Sequence, residues 1–286
     1  TITTGIRNTL VGGLAGDALT DADFNLALGY EALSADTLGS RSTALGYQSL
    51  ATQNFTSATD SYNTAMGYHA GAAVTTGVRN TLMGGLTGDA LTTGRDNIAI
   101  GYLALSGETK GDNNVAIGSH ALQTQNNTSN VDSYNVAVGY NSGYQVTTGV
   151  KNTLIGGATG DAITDADGNA AMGHSALSSN VLGSYSVAIG FRALNNQNPV
   201  DGSGNNVATD MYNTAIGTDA GTSVTTGTHN TLIGGLAGDT ISTGTGNTLV
   251  GKSAGSNIIG GGYNTALGNL AGDSITSGTH NIMIGY

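Results

Sequence analysis

The stretch Asn213-Thr-Ala-Ile-Gly217 is restated along the chain from one end to the other. Its glycine recurs at Gly12, Gly29, Gly46, Gly67, Gly84, Gly101, Gly118, Gly139, Gly156, Gly173, Gly190, Gly217, Gly234, Gly251, Gly268 and Gly285. Of the fifteen intervals between these sixteen copies, twelve are 17 residues, two are 21 and one is 27. A fixed period this short specifies stacked rungs, none large enough to bury its own apolar face. The expectation for residues 1–286 is one continuous repeat array, an all-β parallel β-solenoid of about sixteen rungs.

Working outward from the box, the residue before the glycine is Val, Leu, Ile or Met in every copy. An aliphatic column at fixed phase reads as a core column. Four residues before the glycine stands Asn in fourteen copies, with Ser42 and Ser186 the exceptions. Identical amides stacked in register can hydrogen-bond along the stack. A small residue, Ala, Ser or Thr, follows three residues after the glycine, and then Gly or Leu. The intervening half often reads Thr-Thr-Gly, as at Thr75–Gly77, Thr92–Gly94, Thr147–Gly149 and Thr225–Gly227, where a β-branched pair suits a short strand and glycine a turn. A helical solenoid fails on composition, because 47 glycines would weaken helix interiors throughout, and known helical repeats are longer.

Charged residues make up 9% of the chain, with no Trp, no Cys and one Pro. Such a composition could signal disorder, but disorder does not preserve an aliphatic column through sixteen copies. The net charge of −11, from 19 acids and 8 bases, argues against nucleic acid and anionic membranes as partners. No apolar run approaches the length of a membrane span, so no membrane insertion is expected. The sequence opens halfway through a rung and stops just after a box, and so reads as an excerpt of a longer chain.

The rungs group in fours. Long intervals follow Gly46, Gly118 and Gly190, and place polar inserts at 51–61, 123–133 and 195–211. Inserts recurring at the same phase should emerge from one face, which in repeat arrays is often the binding face. A seventeen-residue rung buries little apolar area against the entropy of ordering it. Three chains around a common axis would bury more, and the Ala or Leu two residues before the glycine offers a second apolar column for this. A homotrimer is therefore expected, with a single-chain solenoid as the alternative.

Asn63-Thr-Ala-Met-Gly-Tyr-His-Ala-Gly71 and Asn97-Ile-Ala-Ile-Gly-Tyr-Leu-Ala-Leu105 resemble the Asn-Thr-Ala-Val-Gly-Tyr-x-Ala-Leu arrays of tail-fibre-domain proteins. Ser186-Val-Ala-Ile-Gly190 is also similar to the head repeat of trimeric autotransporter adhesins. The resemblance covers the whole chain. It implies a trimeric fibre, located outside the cell, on its surface or on a virion, with a non-catalytic attachment role toward a cell-surface glycan or protein receptor. A self-assembling extracellular filament is the competing function.

Five histidines, His69, His120, His174, His229 and His280, fall at differing phases and suggest no catalytic triad. The glycine-rich stretches lack the Lys-Ser/Thr of a phosphate loop, and no cofactor is implied. Asp17, Asp21 and Asp23 recur as Asp161, Asp165 and Asp167, an alternation that can bind calcium or form solvated turns. Tyr30, Tyr47, Tyr68, Tyr102, Tyr140 and Tyr286 directly follow box glycines, and read either as a stacked ladder or as a carbohydrate-facing stripe. Tyr62, Tyr134, Tyr185, Tyr212 and Tyr263 form a second such column. In the inserts, Phe55 stands alone among polar residues, and Asn54, Asn126 and Asn127 head glycosylation-type sequons, which makes Phe55, Asn126 and Asn127 surface-binding candidates. Ice binding is a further alternative, but Thr follows Asn or Ser in only nine of sixteen boxes.

Overall fold

Alternation along each box decides which way its side chains point, since successive residues of a strand face opposite sides. The computed structural model, which describes residues 2–286, is an all-β parallel solenoid of about sixteen turns without helices among those residues. It falls into two compact units, one ending at Val138 and one running from Gly139 to Tyr286. Each box forms a three-residue strand. The first unit holds Thr9–Val11, Leu26–Leu28, Thr43–Leu45, Thr64–Met66, Thr81–Met83, Ile98–Ile100, Val115–Ile117 and Val136–Val138. The second holds Thr153–Ile155, Ala170–Met172, Val187–Ile189, Thr214–Ile216, Thr231–Ile233, Thr248–Val250, Thr265–Leu267 and Ile282–Ile284.

Pairing is parallel and in register with the repeat. Ile117 lies beside Ile100, and Ile100 beside Met83. In the second unit Ile233 pairs with Ile216 and Val250 with Ile233. The Asn column forms the expected ladder: Asn80, Asn97 and Asn114 are wholly buried, and each donates to the side-chain oxygen of the Asn one rung earlier. A second donation from the side-chain nitrogen of many of these asparagines reaches the carbonyl of a Thr-Thr-Gly-type turn, as from Asn80 to Gly94 at 2.9 Å and from Asn230 to Gly244 at 2.8 Å.

The core is not where the aliphatic column places it. Ala65, Leu82, Ala99 and Ala116, two residues before their glycines, are wholly buried, whereas Val11, Leu28 and Met66, directly before theirs, are 54%, 43% and 42% exposed. The two columns exchange the roles expected of them. A three-residue strand can turn only its middle side chain inward, and a seventeen-residue turn is too narrow to admit more than one large aliphatic residue beside it.

That large residue comes from one of two places. Where the fourth residue after the box glycine is Leu (Leu33, Leu50, Leu105, Leu122, Leu177, Leu194), the seventh is polar: Asp36, Gln53, Glu108, Gln125, Asn180, Gln197. Where the fourth is glycine, as at Gly88 and Gly238, the seventh is aliphatic, here Leu91 and Ile241. All the residues just named other than the glycines are buried, so the third and fourth rungs carry polar interiors in every group but the last, where Gly255 and Ile258 restore the apolar pattern. Gln53 Nε2 donates to Asp36 Oδ2 at 2.6 Å, and Glu108 accepts from the backbone N–H of Thr109, Lys110, Gly111 and Asn127. Ser42 and Ser186 interrupt the Asn column where they meet these amides, bonding to Gln53 at 2.8 Å and to Gln197 at 3.0 Å.

The inserts leave the rung late and return early. Asn54 still donates its N–H to the Thr75 carbonyl, and Thr59–Asp60 already pairs with Gly39–Ser40. Val131–Asp132 pairs likewise with Gly111–Asp112, and Thr209–Asp210 with Gly183–Ser184.

Candidate functional site

Two surfaces combine side-chain chemistry with exposure: the outer face of the sheet, and the Thr-Thr-Gly side where the inserts emerge. On the first, the tyrosines after the box glycine are exposed, and Tyr30, Tyr47 and Tyr68 stack. Ring centroids lie 5.6 Å apart for Tyr30 and Tyr47 and 5.5 Å for Tyr47 and Tyr68, with interplanar angles of 16° and 13°. These three rings therefore form a ladder. Tyr102 meets His120 edge-on at 5.6 Å, and Tyr140 is 62% exposed. The second column stacks in the same manner, with Tyr185 over Tyr212 at 5.5 Å and Tyr263 over His280 at 5.0 Å. The Tyr30 and Tyr212 hydroxyls are held above the usual phenol range by hydrogen bonds to Glu31 and Asp210 respectively.

The sequence candidates in the inserts divide. Phe55 is buried, its ring packed against Gly39, so it is not an exposed anchor and contributes only to the wall of a cavity. Asn126 is exposed, and its Oδ1 accepts from Thr109 Oγ1 at 2.9 Å. Asn127 is buried, its carboxamide donating to Glu108 Oε2 at 2.9 Å and Ser133 Oγ at 3.1 Å, and is no surface residue. A buried carboxylate needs donors, and Asn127 is one of them.

The alternating aspartates act between rungs. Asp23 Oδ1 accepts the Ile6 N–H at 2.7 Å, and Asp167 Oδ1 the Val150 N–H at 2.7 Å. Asp21 and Asp165 accept threonine hydroxyls, Thr4 and Thr148 respectively, and Asp165 is held below the usual carboxylate range by Thr147 and Thr148. Asp161 is pushed upward by burial. Asp17 is exposed. Among the described residues no three His, Cys, Asp or Glu converge in a metal-ligand arrangement. Ser119 with His120 and Ser175 with His174 are Ser–His contacts between sequence neighbours on turns.

The Thr-Thr-Gly side of the first unit carries a cavity of about 380 Å³. Its floor is two adjacent rungs, Thr76 and Val78 on one, Thr93 and Arg95 on the next. Phe55 and Thr59 of the first insert wall one end, and Asn130 of the second insert the other. Thr93 Oγ1 donates to Asn130 Oδ1 at 3.0 Å, which brings the second insert down onto the floor. Arg95 is half exposed, its Nε 3.8 Å from Asp112 Oδ2, while Asp112 Oδ1 accepts the Arg95 N–H at 2.7 Å. Reading the sequence by motifs passes over this basin, because its residues belong to three separate repeats and two inserts. One signal was available: two residues before the ladder Asn or Ser, Arg95 is the only base in the chain.

No protein-family model matches the chain, and no curated protein matches it at a significant level.

Proposed function

We propose that this chain is a non-catalytic structural fibre segment, a stiff β-solenoid that holds attachment elements outside a cell or virion and packs as a homotrimer. One observation carries the reading: the residue before every box glycine is aliphatic, yet it faces outward. In the first unit Val11, Leu28 and Met66, and in the second Met172, Ile189 and Leu267, project from the sheet with large exposed areas. A solvated face has no requirement for Val, Leu, Ile and Met at one phase in sixteen of sixteen copies, whereas a face that meets other copies of itself does. The repeat spacing lets such a face match further copies of itself, because each rung presents an aliphatic side chain at the same phase. Identical copies are thus its simplest occupant, and the resemblance to trimeric fibre repeats supports three of them.

Stiffness follows from the same stacking. Parallel ladders, the buried Asn file and the close backbone contact at the box glycines leave little freedom between neighbouring rungs. The inserts interrupt the Thr-Thr-Gly side, away from the box strand, and leave the outer sheet face clear. Native mass measurement across a dilution series tests the reading. Three 28.4-kDa chains per particle are expected. Single chains at micromolar concentration would refute the trimer, and open-ended polymers would favour a self-assembling filament.

A further inference from the structure

The basin between the two inserts of the first unit has a chemistry that its counterparts lack. One repeat group further on, the residues equivalent to Thr76, Val78, Thr93 and Arg95 are Thr148, Val150, Asp165 and Asp167. In the next group they are Thr226, Thr228, Thr243 and Thr245. Among these three sets of positions a guanidinium occurs once, in a chain with 8 bases against 19 acids, and it stands on the floor of the cavity. We propose that this basin binds a single carboxylate-bearing sugar unit, with Arg95 on the carboxylate, Thr76, Thr93 and Asn130 on ring hydroxyls, Val78 under the apolar ring face and the Phe55 edge beside it. The inference deepens the attachment reading and rests on it.

Each element of the ligand follows from a feature of the site. A guanidinium has five donors in a planar fork matched to a carboxylate. Asp112 approaches that fork only at 3.8 Å, and its other oxygen is held by backbone, so an incoming carboxylate competes with a weak contact. Two threonine hydroxyls and an amide donate and accept, which suits hydroxyl groups rather than a second charge. The volume, about 380 Å³, lies at the small end of ligand pockets, which span roughly 300–1,000 Å³, and accommodates one sugar ring. An acidic peptide fits less well. The floor is only two rungs wide, about 10 Å at strand spacing, and both its ends are walled by inserts. Between the rungs of the floor, the Thr75 and Gly77 N–H groups both donate to the Thr92 carbonyl, and the Thr92 N–H to the Thr109 carbonyl, so no strand edge is offered.

The test is titration of the full chain with glucuronic acid and with N-acetylneuraminic acid, followed by ligand-observed NMR, with glucose and acetate run alongside. Saturable binding of at least one acidic sugar is expected, in the weak range usual for one sugar on one charged contact, about millimolar. Glucose and acetate should each bind at least about tenfold more weakly. Arg95→Gln should weaken the acidic sugar by about tenfold or more, and Arg79→Gln, an exposed arginine outside the basin, should leave it unchanged. Thr93→Val gives a second, milder probe should Arg95→Gln disturb the fold. Absence of saturable binding by both acidic sugars overturns the proposal, as does binding indifferent to both basin variants. Acetate matching the sugars would reduce the site to an anion contact and overturn the sugar assignment. Native mass on the same samples reports the trimer separately, so either reading can fail alone.

Discussion

Asn80 Oδ1 accepts two hydrogen bonds from Asn97, one from the backbone N–H at 3.1 Å and one from the carboxamide at 3.2 Å. Asn80 also donates to the Gly94 carbonyl at 2.9 Å and to Asn63 Oδ1 at 3.3 Å. A single side chain therefore joins its own turn to the rungs on both sides, and all three asparagines are buried. Asp could not supply the donations, and Gln would be one methylene too long for the space.

Asn80→Ala should be severe for that reason. It leaves the Asn97 N–H and the Gly94 carbonyl without these partners in a closed interior, at about 1–3 kcal/mol for each group. Asn80→Ser should be nearly as damaging, even though Ser42 is native. Ser42 works because Gln53 reaches it, whereas the corresponding residue beside Asn80 is the aliphatic Leu91. Thermal or urea melts would measure both, and a loss below about 1 kcal/mol for either would contradict this account.

The box glycines are fixed by backbone approach. Gly29 has φ of +138°, and a Cβ there would stand 2.5 Å from the Gly46 carbonyl oxygen and 2.7 Å from its carbon. Backbone cannot yield as a flexible side chain can, so Gly29→Ala should cost several kcal/mol or prevent soluble expression. Gly202, in the third insert, has nothing within 4 Å of its hypothetical Cβ, and Gly202→Ala should leave the melting temperature within about a degree of the parent. Equal effects from the two substitutions would sink the argument.

Architecture was legible in the sequence because stacking copies the same demand at each rung: the period, the Asn file and the box glycine are all global requirements. Which aliphatic column lay inside was not legible. Both the middle and the last residue of each box are apolar, and only the narrowness of the turn assigns the interior to Ala65 or Leu82 rather than Met66 or Met83. The left-handed turns were hidden for a different reason. Leu103 and Leu105 sit at φ of 56° and 54°, where Leu has no intrinsic preference, and stacking between rungs imposes the conformation. The buried polar pairs were also missed, since Asp36 and Glu108 look like surface residues until Leu33 and Leu105 are seen to fill the space an aliphatic seventh residue would take.

Acid behaviour should reflect those polar interiors. Burial raises the Asp36 carboxyl above its ordinary value, against the opposing hydrogen bonds from Gln53 and the Phe55 and Gly39 amides. Asp89, Asp161 and Asp239 are raised by the same cause. A carboxyl with a raised folded pKa binds more protons in the fold than in the unfolded chain. Its contribution is therefore full below the unfolded value, about pH 4, and is lost as pH rises through the folded one. Asp36→Asn should stabilise the chain at pH 7 by on the order of 1 kcal/mol and change little below pH 4. The third group already carries Asn180 at this place, where its Oδ1 accepts the Gly183 N–H at 3.0 Å. Melting curves at pH 3.5 and 7 would decide it; destabilisation at pH 7 would mean that the charge is favourable where it stands.

Inner and outer aliphatic columns should respond to different variables. Leu82 is wholly buried within its own turn, so Leu82→Ala should cost about 2–5 kcal/mol whatever the protein concentration. Leu28 is 43% exposed on the outer face, and burial against a second copy would contribute only on assembly. Leu28→Asp combined with Ile100→Asp would place two charges on that face at different heights. If the face is covered by other copies, the double variant should yield single 28.4-kDa chains that keep their β-sheet circular dichroism, and their melting should no longer depend on concentration. Charges on a face open to water would be tolerated, leaving mass and melting midpoint as in the parent. That second outcome would remove the outer aliphatic file as the basis for assembly.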